Sequence, residues 1–267
     1  MIALRTAFID SFIKEQFDKG TRQIVLLGAG FDVRAYRMCL DGAQFFEVDQ
    51  PELFDAKEPL FAQVPLQCAR RVALPIDLGS KHLNLVEGLQ RHGFNLTQPS
   101  CWVLEGLIMY LKPGQVQQLA KQVSALSARR STLVHDAVSA TANKMGIHFC
   151  GAKFRSGDDD YARLWNMAGF ATARVMNWGA LSADRQMGQV SVDMNVADAS
   201  PRQLRGNEAV VLVTAYKPPE ARAREPQGRS RIQAGQLQHR QKHLNRFAAL
   251  ARSDGASSGD KDEDAHE

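Results

Sequence analysis

The sequence predicts an α/β fold built on a mostly parallel, seven-stranded sheet that ends in an antiparallel hairpin. Short apolar runs alternate with longer amphipathic segments over residues 1–217, which is the pattern of strands and helices that pack in layers. The first apolar run leads directly into a glycine turn. The last two runs have no recognisable helix between them, so we expect an antiparallel pairing there.

Seven apolar runs have the length of buried strands. The hydrophobic content of 44% is sufficient for a packed core in a chain of 267 residues. The predicted strands are Ile24–Leu27, Phe45–Val48, Arg71–Leu74, Cys101–Leu104, Thr132–His135, Ala173–Trp178 and Ala209–Ala215.

The segments between these runs predict helices. The first segment carries its apolar side chains on one stripe at helical spacing. Pro113 stands at the start of another, where a missing N–H costs little. The predicted helices are Thr6–Phe17, Glu52–Gln63, Leu83–Arg91, Gln115–Leu126 and Asp158–Met167, with a short helical segment that starts near Val33.

The composition argues against several classes of protein. No apolar run approaches the roughly 20 residues that a membrane span needs, and the N-terminal residues carry no cleavage site of a secretory signal. Cys39, Cys68, Cys101 and Cys150 form no Cys-x-x-Cys pair, and Cys101 lies in an apolar run, where a thiol behaves as a core hydrophobe. We therefore expect a cytoplasmic protein without a disulfide framework, a zinc site or a membrane partner.

The net charge of +4 conceals an uneven distribution. Arg and Lys dominate residues 217–252, whereas residues 254–267 are acidic and rich in Gly and Ser. Strong apolar residues become sparse after Lys217-Pro218-Pro219, which is typical of disordered segments. The sequence therefore predicts a folded domain over residues 1–217 and a charged, disordered tail over residues 218–267.

The stretch from Ile24 to Asp49 predicts a cradle for a nucleoside-bearing cofactor. Gly28 and Gly30 follow the first strand directly, where glycine permits a positive φ and a close approach of ligand to backbone. The helix that starts near Val33 would direct its amides at an anionic group. Asp49 ends the second strand about twenty residues later, and an acid there can accept hydrogen bonds from ribose hydroxyls.

Two residues of the turn distinguish between cofactors. A nicotinamide-binding fold would carry a third glycine where Val33 stands, and Asp32 would repel a pyrophosphate. S-adenosylmethionine has a carboxylate and an ammonium and no phosphate, so it tolerates a neighbouring acid. The turn favours this methyl donor, and the alternatives are a structural glycine pair and an NAD(P)-dependent oxidoreductase.

Three acids, Asp49, Asp77 and Glu105, each come at or just after the end of an apolar run. The carboxyl ends of parallel strands meet at one edge of a sheet, where open α/β sheets bind ligands. An acidic rim at that edge suits a cofactor with a sulfonium and an ammonium. The structural alternatives are that Asp77 caps a helix and that Glu105 is a solvated loop acid.

A series of motifs runs through the chain in a fixed order. These motifs are Arg5-Thr6, the Leu-Gly-Ala-Gly-Phe-Asp-Val-Arg-Ala-Tyr-Arg stretch over 27–37, Phe-Glu-Val-Asp-Gln-Pro over 46–51, Pro-Ile-Asp-Leu over 75–78 and Glu-Gly-Leu-Ile-Met-Tyr-Leu over 105–111. From residue 5 to about residue 217, this pattern resembles the leucine carboxyl methyltransferase-like group of S-adenosylmethionine-dependent methyltransferases, and most of all its bacterial O-methyltransferases. The Asp-Gln-Pro and Glu-Gly-Leu segments are specific to that group, whereas the glycine turn is common to methyltransferases.

The resemblance implies a Rossmann-like class I methyltransferase fold with S-adenosylmethionine as the cofactor. On this basis Arg5 would hold the cofactor carboxylate. The turn at Gly28 and Gly30 would pass under the methionine moiety, and Asp49 would bind the ribose hydroxyls.

The resemblance also implies roles for residues after the third and fourth strands. Asp77 and Leu78 would line the adenine pocket, with Asp77 accepting from the adenine amine, and Glu105 would meet the methionine ammonium. Members of the group usually carry a helical segment before the Arg-Thr element that helps to cover the active site. This chain starts four residues before Arg5, so we expect that lid to be absent. The tail after Lys217 is not part of the family pattern.

The activity implied by the resemblance is methyl transfer to a carboxylate or hydroxyl oxygen of a small-molecule or peptide acceptor. Alignment of donor and acceptor alone can supply about 7–11 kcal/mol. A carboxylate acceptor needs no general base, whereas a hydroxyl benefits from one within hydrogen-bond reach. His135, Asp136 and Tyr110 are candidates for such a base by position, although the commoner role of each is structural. The sequence assigns no catalytic residue.

A binding module without catalysis is the remaining alternative. The basic stretch Arg222–Arg252 could bind RNA, a membrane or an acidic partner. Phe247 is its one aromatic side chain able to stack on a base, whereas single-strand binders use several, so nucleic acid is disfavoured as a partner. His239 and His243 stand four apart without a carboxylate partner, so no metal site is expected. The sequence carries no signal for an oligomeric state.

Overall fold

The computed structural model describes residues 2–146, 148–149, 151–177 and 210–219. The strands in this part of the chain are β1 Gln23–Leu27, β2 Leu40–Asp49, β3 Cys68–Pro75, β4 Ser100–Leu104, β5 Thr132–Val138, β6 His148–Phe149, β7 Ala152–Lys153, β8 Ala171–Asn177 and β9 Val210–Tyr216. The helices are α1 Ile2–Asp18, α2 Arg34–Arg37, α3 Pro51–Phe61, α4 Leu85–Arg91, α5 Pro113–Leu126, α6 Ala140–Lys144 and α7 Tyr161–Met167, with a 3₁₀ turn over Ile108–Tyr110.

Seven strands form one sheet in the order β3-β2-β1-β4-β5-β9-β8. The pairs from β3 to β5 are parallel, and β9 runs antiparallel to both β5 and β8. The prediction of a mostly parallel sheet with an antiparallel final hairpin is confirmed. The strand order reverses at β1, because β2 lies on one side of it and β4 on the other. Open α/β sheets bind ligands at such a reversal, outside the carboxyl ends of the strands.

The sheet separates two apolar layers because neighbouring strand residues face opposite sides. All five residues of β1 are buried, with Val25 and Leu27 in one layer and Ile24 and Leu26 in the other. The first layer contains α4, α5 and α7. The second contains α1, which contributes the four buried apolar side chains Phe8, Ile9, Phe12 and Ile13. Burial of such a side chain contributes about 1.5–3 kcal/mol, so α1 is held firmly across the sheet.

Several element bounds differ from the sequence prediction. The helix α1 begins at Ile2 rather than at Thr6, and β3 begins at Cys68 rather than at Arg71. The largest difference is in the strand β2. This strand begins at Leu40 rather than at Phe45, and its pairing with β3 is irregular between Leu40 and Gln44. The exposed residues Asp41 and Gly42 interrupt the apolar pattern there, as expected at a bulge. The short pair of β6 and β7 escaped prediction because two-residue strands leave no periodic signal.

Several predictions fall on residues outside the described ranges. They include Trp178 and Ala209 at the inner ends of the predicted hairpin, the paired histidines His239 and His243, and the basic stretch. The division into a domain and a tail near residue 217 stays a prediction for the same reason. Among the helices of the described ranges, none has the length and apolar character that a bilayer span requires.

Candidate active site

A cavity of about 620 Å³ opens at the carboxyl edge of the sheet beside β1, β4 and β5. Its volume lies within the range of about 300–1,000 Å³ that small-molecule sites occupy. Its walls come from the turn after β1, the first residues of α1, the segment after β4, the last residues of β5 and the first residue of β9. This is the edge at which the strand-end acids were expected.

The turn after β1 needs glycine at two places for different reasons. Gly28 has φ +68°, and a Cβ built on it would stand 3.0 Å from Cδ1 of Leu107. Gly30 has φ +50°, and no heavy atom lies within 4 Å of a Cβ built there. Non-glycine residues rarely adopt either conformation. Gly28 therefore permits Leu107 to pack closely against the turn. At Gly30 the space beside the backbone is empty and is open to a ligand.

Asp49 is half-buried at the end of β2 and is tied to the glycine turn. Its Oδ2 accepts a hydrogen bond of 2.8 Å from the Gly30 N–H, and its Oδ1 accepts one of 2.7 Å from the Gln50 N–H. A carboxylate oxygen has two lone-pair sites, so each oxygen retains acceptor capacity. Asp49 lies behind the turn and is not part of the cavity wall.

Asp77 and Leu78 lie away from this cavity, after β3. Asp77 is exposed, and its Oδ1 accepts a hydrogen bond of 2.8 Å from the Gly79 N–H. Leu78 is buried in the apolar core. Asp77 thus stabilises its own turn and does not cap a helix, since the N-cap of the following helix α4 is Asn84. The adenine pocket predicted from these two residues stays a prediction.

Arg5 and Glu105 meet inside the cavity. Arg5 Nε donates to Glu105 Oε1 at 2.8 Å, and Arg5 Nη1 donates to Asp136 Oδ2 at 2.7 Å. The Gly106 N–H donates to the other oxygen of Asp136 at 2.6 Å. Burial opposes the charge on Arg5, but the carboxylates of Asp136 and Glu105 outweigh it, so the pKa of Arg5 is raised. Burial also raises the pKa of Asp136, although Arg5 opposes this shift.

Arg34 is a charged residue of the site to which the sequence analysis assigned no role. Its side chain is 2% exposed and contacts three acids: Asp10 on α1, Asp32 in the glycine turn and Glu105 after β4. The distances are 2.7 Å from Nε to Asp10 Oδ1 and 2.7 Å from Nη2 to Glu105 Oε2. Burial opposes the charge of the guanidinium, but Asp32 and Glu105 outweigh it and raise the pKa of Arg34.

This contact changes the interpretation of Asp32 and α2. Burial raises the pKa of Asp32, and the neighbouring guanidinium of Arg34 opposes that shift. Asp32 Oδ1 also accepts from the Arg34 N–H at 2.7 Å, and α2 has a single turn. The amide of Arg34, at the start of α2, is therefore occupied by the protein itself. The sequence had predicted that the amides of this helix would face an anionic ligand.

Comparisons with known proteins show the family of this chain. Residues 1–124 match the model of the family described as leucine carboxyl methyltransferase. A relative from Mycobacterium marinum, named "Putative S-adenosyl-L-methionine-dependent methyltransferase", is 33% identical over 226 residues, which cover 80% of this chain and 72% of that protein. The chain belongs to the leucine carboxyl methyltransferase family. Another relative with the same name, from Mycobacterium avium, is 36% identical over 58% of this chain, which spans about half, 51%, of that protein.

Solved structures share the fold of this family member. A "putative methyltransferase" from Thermobifida fusca YX superposes with a TM-score of 0.57 and 16% identity over 81% of each chain. A DUF574 family protein from Streptomyces avermitilis MA-4680 has a TM-score of 0.57 and 10% identity over 82% of this chain and 84% of the other. Together with the strand order, the family confirms the predicted class I methyltransferase fold and S-adenosylmethionine as its methyl donor.

The three candidates for a general base occupy different surroundings in this methyltransferase. His135 is fully buried, its Nε2 accepts from Trp165 Nε1 at 2.8 Å, and burial lowers its pKa to about 4. Both oxygens of Asp136 are bonded, as described above. Tyr110 lies on the cavity wall, and its ring packs edge-on against Phe154 with centroids 5.4 Å apart. Of the three, His135 lies outside the cavity.

The outer part of the cavity is apolar. It is formed by Met109, Tyr110, Val138, Phe154 and Val210, which we call the apolar wall. These residues come from the 3₁₀ turn, the end of β5, the loop after β7 and the start of β9. No local sequence pattern connects such distant segments, so the sequence prediction did not contain this wall.

Proposed function

We propose that this chain transfers the methyl group of S-adenosylmethionine to an oxygen of its acceptor, and that this oxygen belongs to a carboxylate. The observation that carries the proposal is the pairing of charges in the cavity. Each acid on its described wall, namely Asp32, Glu105 and Asp136, is engaged by Arg5 or Arg34. A carboxylate acceptor is already a nucleophile and needs no base.

The residues present fit the proposed cofactor. Arg5 and Glu105 offer opposite charges 2.8 Å apart, as the carboxylate and ammonium of an amino acid require. Gly30 leaves one side of the turn open, and Asp49 retains acceptor capacity for hydroxyls. In our proposal Arg5 would hold the carboxylate, Glu105 the ammonium, Asp49 the ribose, and Asp77 with Leu78 the adenine. The roles of Asp77 and Leu78 rest on the family motif alone.

The chain's own contribution to the reaction is orientation and the exclusion of water. When bound, S-adenosylmethionine supplies a methyl group that is activated by its sulfonium. Arg5 stays charged because Glu105 and Asp136 raise its pKa. Arg34 fixes Glu105 from the side opposite to Arg5, since the two arginines contact different oxygens of that carboxylate. The site is thus preorganised before the acceptor arrives, and orientation is worth about 7–11 kcal/mol.

A hydroxyl acceptor is the second candidate. The observation that favours it is the phenol of Tyr110 on the cavity wall, since a phenol can accept or donate a proton. His135 does not support it, because the imidazole is buried outside the cavity and Trp165 occupies its Nε2.

The two candidates are separated by the chemistry of the product. The protein is incubated with S-adenosylmethionine labelled in the methyl group and with mixed carboxylic acids and alcohols. Methyl esters release volatile methanol in mild alkali, whereas methyl ethers do not. We expect alkali-labile label. Alkali-stable label on an alcohol would contradict the carboxylate assignment.

A matched pair of variants links that label to this cavity. Glu105→Gln is expected to reduce label incorporation strongly, because it removes a charge that two arginines contact. Glu87→Gln on α4 is the control and is expected to behave as wild type, because the side chain of Glu87 is 39% exposed and lies outside the cavity. Equal rates for the two variants would remove Glu105 from the site.

A further inference from the structure

The charges of the cavity neutralise one another. The charged residues on its described wall are Arg5, Asp32, Arg34, Arg37, Glu105 and Asp136. Each has an oppositely charged partner, and Arg37 pairs with Asp10 at 2.7 Å. These ion pairs occupy the side of the cavity next to α1 and the glycine turn. Their two signs of charge suit a zwitterionic ligand, and the apolar wall forms the opposite side of the cavity.

The side chains of the apolar wall are hydrocarbon or thioether except for the phenol oxygen of Tyr110. Met109 and Val138 are buried, and Tyr110, Phe154 and Val210 are partly buried against them. The backbone oxygens of the two buried wall residues already have donors. Met109 O accepts from the Arg155 N–H at 2.7 Å, and Val138 O accepts from the Asp158 N–H at 3.1 Å. A ligand with several unsatisfied polar groups would find few partners here, and burying such groups without partners costs free energy.

The loop that carries Phe154 is fixed in place. Ser156 Oγ donates to Ile108 O at 2.7 Å, which attaches the loop to the 3₁₀ turn. A Cβ on Gly157 would lie 2.5 Å from the backbone oxygen of Ser139 and 2.7 Å from Cβ of Asn143. Because such contacts do not occur, only glycine allows the loop to approach α6 this closely. The aromatic pair of Tyr110 and Phe154 is therefore part of a preformed surface.

The wall and the predicted nucleoside-binding residues occupy opposite halves of the sheet edge. Asp49 and Asp77 follow β2 and β3 on one side of β1, whereas the wall lies beyond β4 on the side of β5 and β9. We propose that the acceptor is a small aliphatic or aromatic carboxylic acid whose hydrocarbon part lies on the apolar wall. This inference rests on the proposed function and selects a small hydrophobic acid over a peptide, whose backbone amides would lack partners at the wall.

The test measures methyl ester formation along a series of straight-chain acids from acetate to octanoate. Burial of a methylene contributes about 0.8 kcal/mol, which corresponds to about a fourfold rise in kcat/KM for each carbon added while the wall is being covered. The matched dicarboxylates from succinate to suberate and a short peptide ending in leucine are assayed in parallel. We expect a rise with length for the monocarboxylates, no such rise for the dicarboxylates, and a lower kcat/KM for the peptide than for octanoate.

The possible failures are distinguishable. Esters formed with no dependence on chain length, or formed best on the peptide, would overturn this inference and leave the proposed function standing. Absence of alkali-labile label on every acid and on the peptide would overturn the proposed function and this inference together.

Variants of the wall provide an independent readout. Phe154→Ala and Gly157→Ala are expected to reduce kcat/KM for octanoate by about tenfold and to flatten the dependence on chain length. The dissociation constant of S-adenosylhomocysteine should stay that of wild type, which also reports that the variants fold. Met167→Ala is the control, because Met167 is an exposed apolar residue of α7 outside the cavity. An unchanged rate for octanoate in Phe154→Ala would contradict the proposal.

Discussion

Arg34 joins three parts of the site through one guanidinium. Asp10, Asp32 and Glu105 come from a helix, a turn and a strand end, and each contacts a different nitrogen. The sequence could not predict this cluster, because its acids stand 24, 2 and 71 residues from Arg34 and follow no periodicity. Strand-end acids such as Glu105 could be predicted, since topology alone brings them to one edge.

Replacing Arg34 by Met is expected to lower the free energy of unfolding by about 3–5 kcal/mol, because it leaves buried carboxylates without their cation. Denaturant titration measures this loss. Arg37→Met is the control, since Arg37 is more exposed and pairs with Asp10 alone in the described ion pairs. Arg34→Lys should recover only part of the loss, because an ammonium cannot reach three acids at fork geometry. Equal stability of both Met variants would contradict the role assigned to Arg34.

His135 predicts a pH dependence of stability. Its pKa is about 4 in the folded protein and about 6.5 when unfolded. Between these values the unfolded state binds the proton more tightly than the folded state. The contribution of the neutral His135 to stability is therefore fully present above pH 6.5 and is lost as the pH falls to about 4. The loss is about 3 kcal/mol.

The difference between wild type and His135→Gln isolates this contribution, because the raised pKa values of Asp32 and Asp136 act in the opposite direction in both proteins. Glutamine keeps an acceptor for Trp165. Wild type should lose more stability than the variant between pH 6.5 and 4, and the exposed His82→Gln should follow wild type. Parallel curves for wild type and His135→Gln would rule out this account of His135.

At the scale of elements, the sequence predicts those buried residues that lie on one face of a helix or in one continuous strand. The stripe of α1 and the four apolar residues Ile24–Leu27 of β1 could be predicted directly from apolar spacing. The apolar wall was not predictable, because it combines one or two residues from each of four distant segments. The glycine turn lies between these cases: its two glycines could be predicted, and its packing on Leu107 could not.

The glycine turn yields a prediction on that packing. Gly28→Ala is expected to cost about 1–3 kcal/mol of stability, because its φ of +68° strains any other residue and the added Cβ presses on Leu107. Thermal or denaturant unfolding measures the change. Gly114→Ala in the first turn of α5 is the control, since its Cβ would meet nothing within 4 Å and its φ is ordinary. A neutral Gly28→Ala would show that the turn does not need glycine there.

At the scale of the whole molecule, the strand order explains why motifs that are far apart in sequence meet. The reversal at β1 brings the turn of Gly28 and Gly30 to the middle of the edge, with Asp49 on one side and Glu105 on the other. One half of the edge carries Asp49 and Asp77, which we propose as acceptors for a nucleoside, and the other carries the ion pairs and the apolar wall. The sequence motifs predicted Asp49 and Asp77 in the first half and Arg5 and Glu105 in the second, whereas Arg34 and the apolar wall depend on long-range packing.

Calorimetric titration tests the central claim that this edge binds the methyl donor through the glycine turn and Asp49. We expect wild type to bind S-adenosylhomocysteine with micromolar-range affinity and to give no binding heat with NADH. Asp49→Ala should weaken the S-adenosylhomocysteine affinity by about 1–3 kcal/mol, the cost of an unpaired polar partner, while Asp41→Ala on the exposed part of β2 should not. Tight binding of NADH with no response to S-adenosylhomocysteine, or an unaltered affinity in Asp49→Ala, would contradict the account.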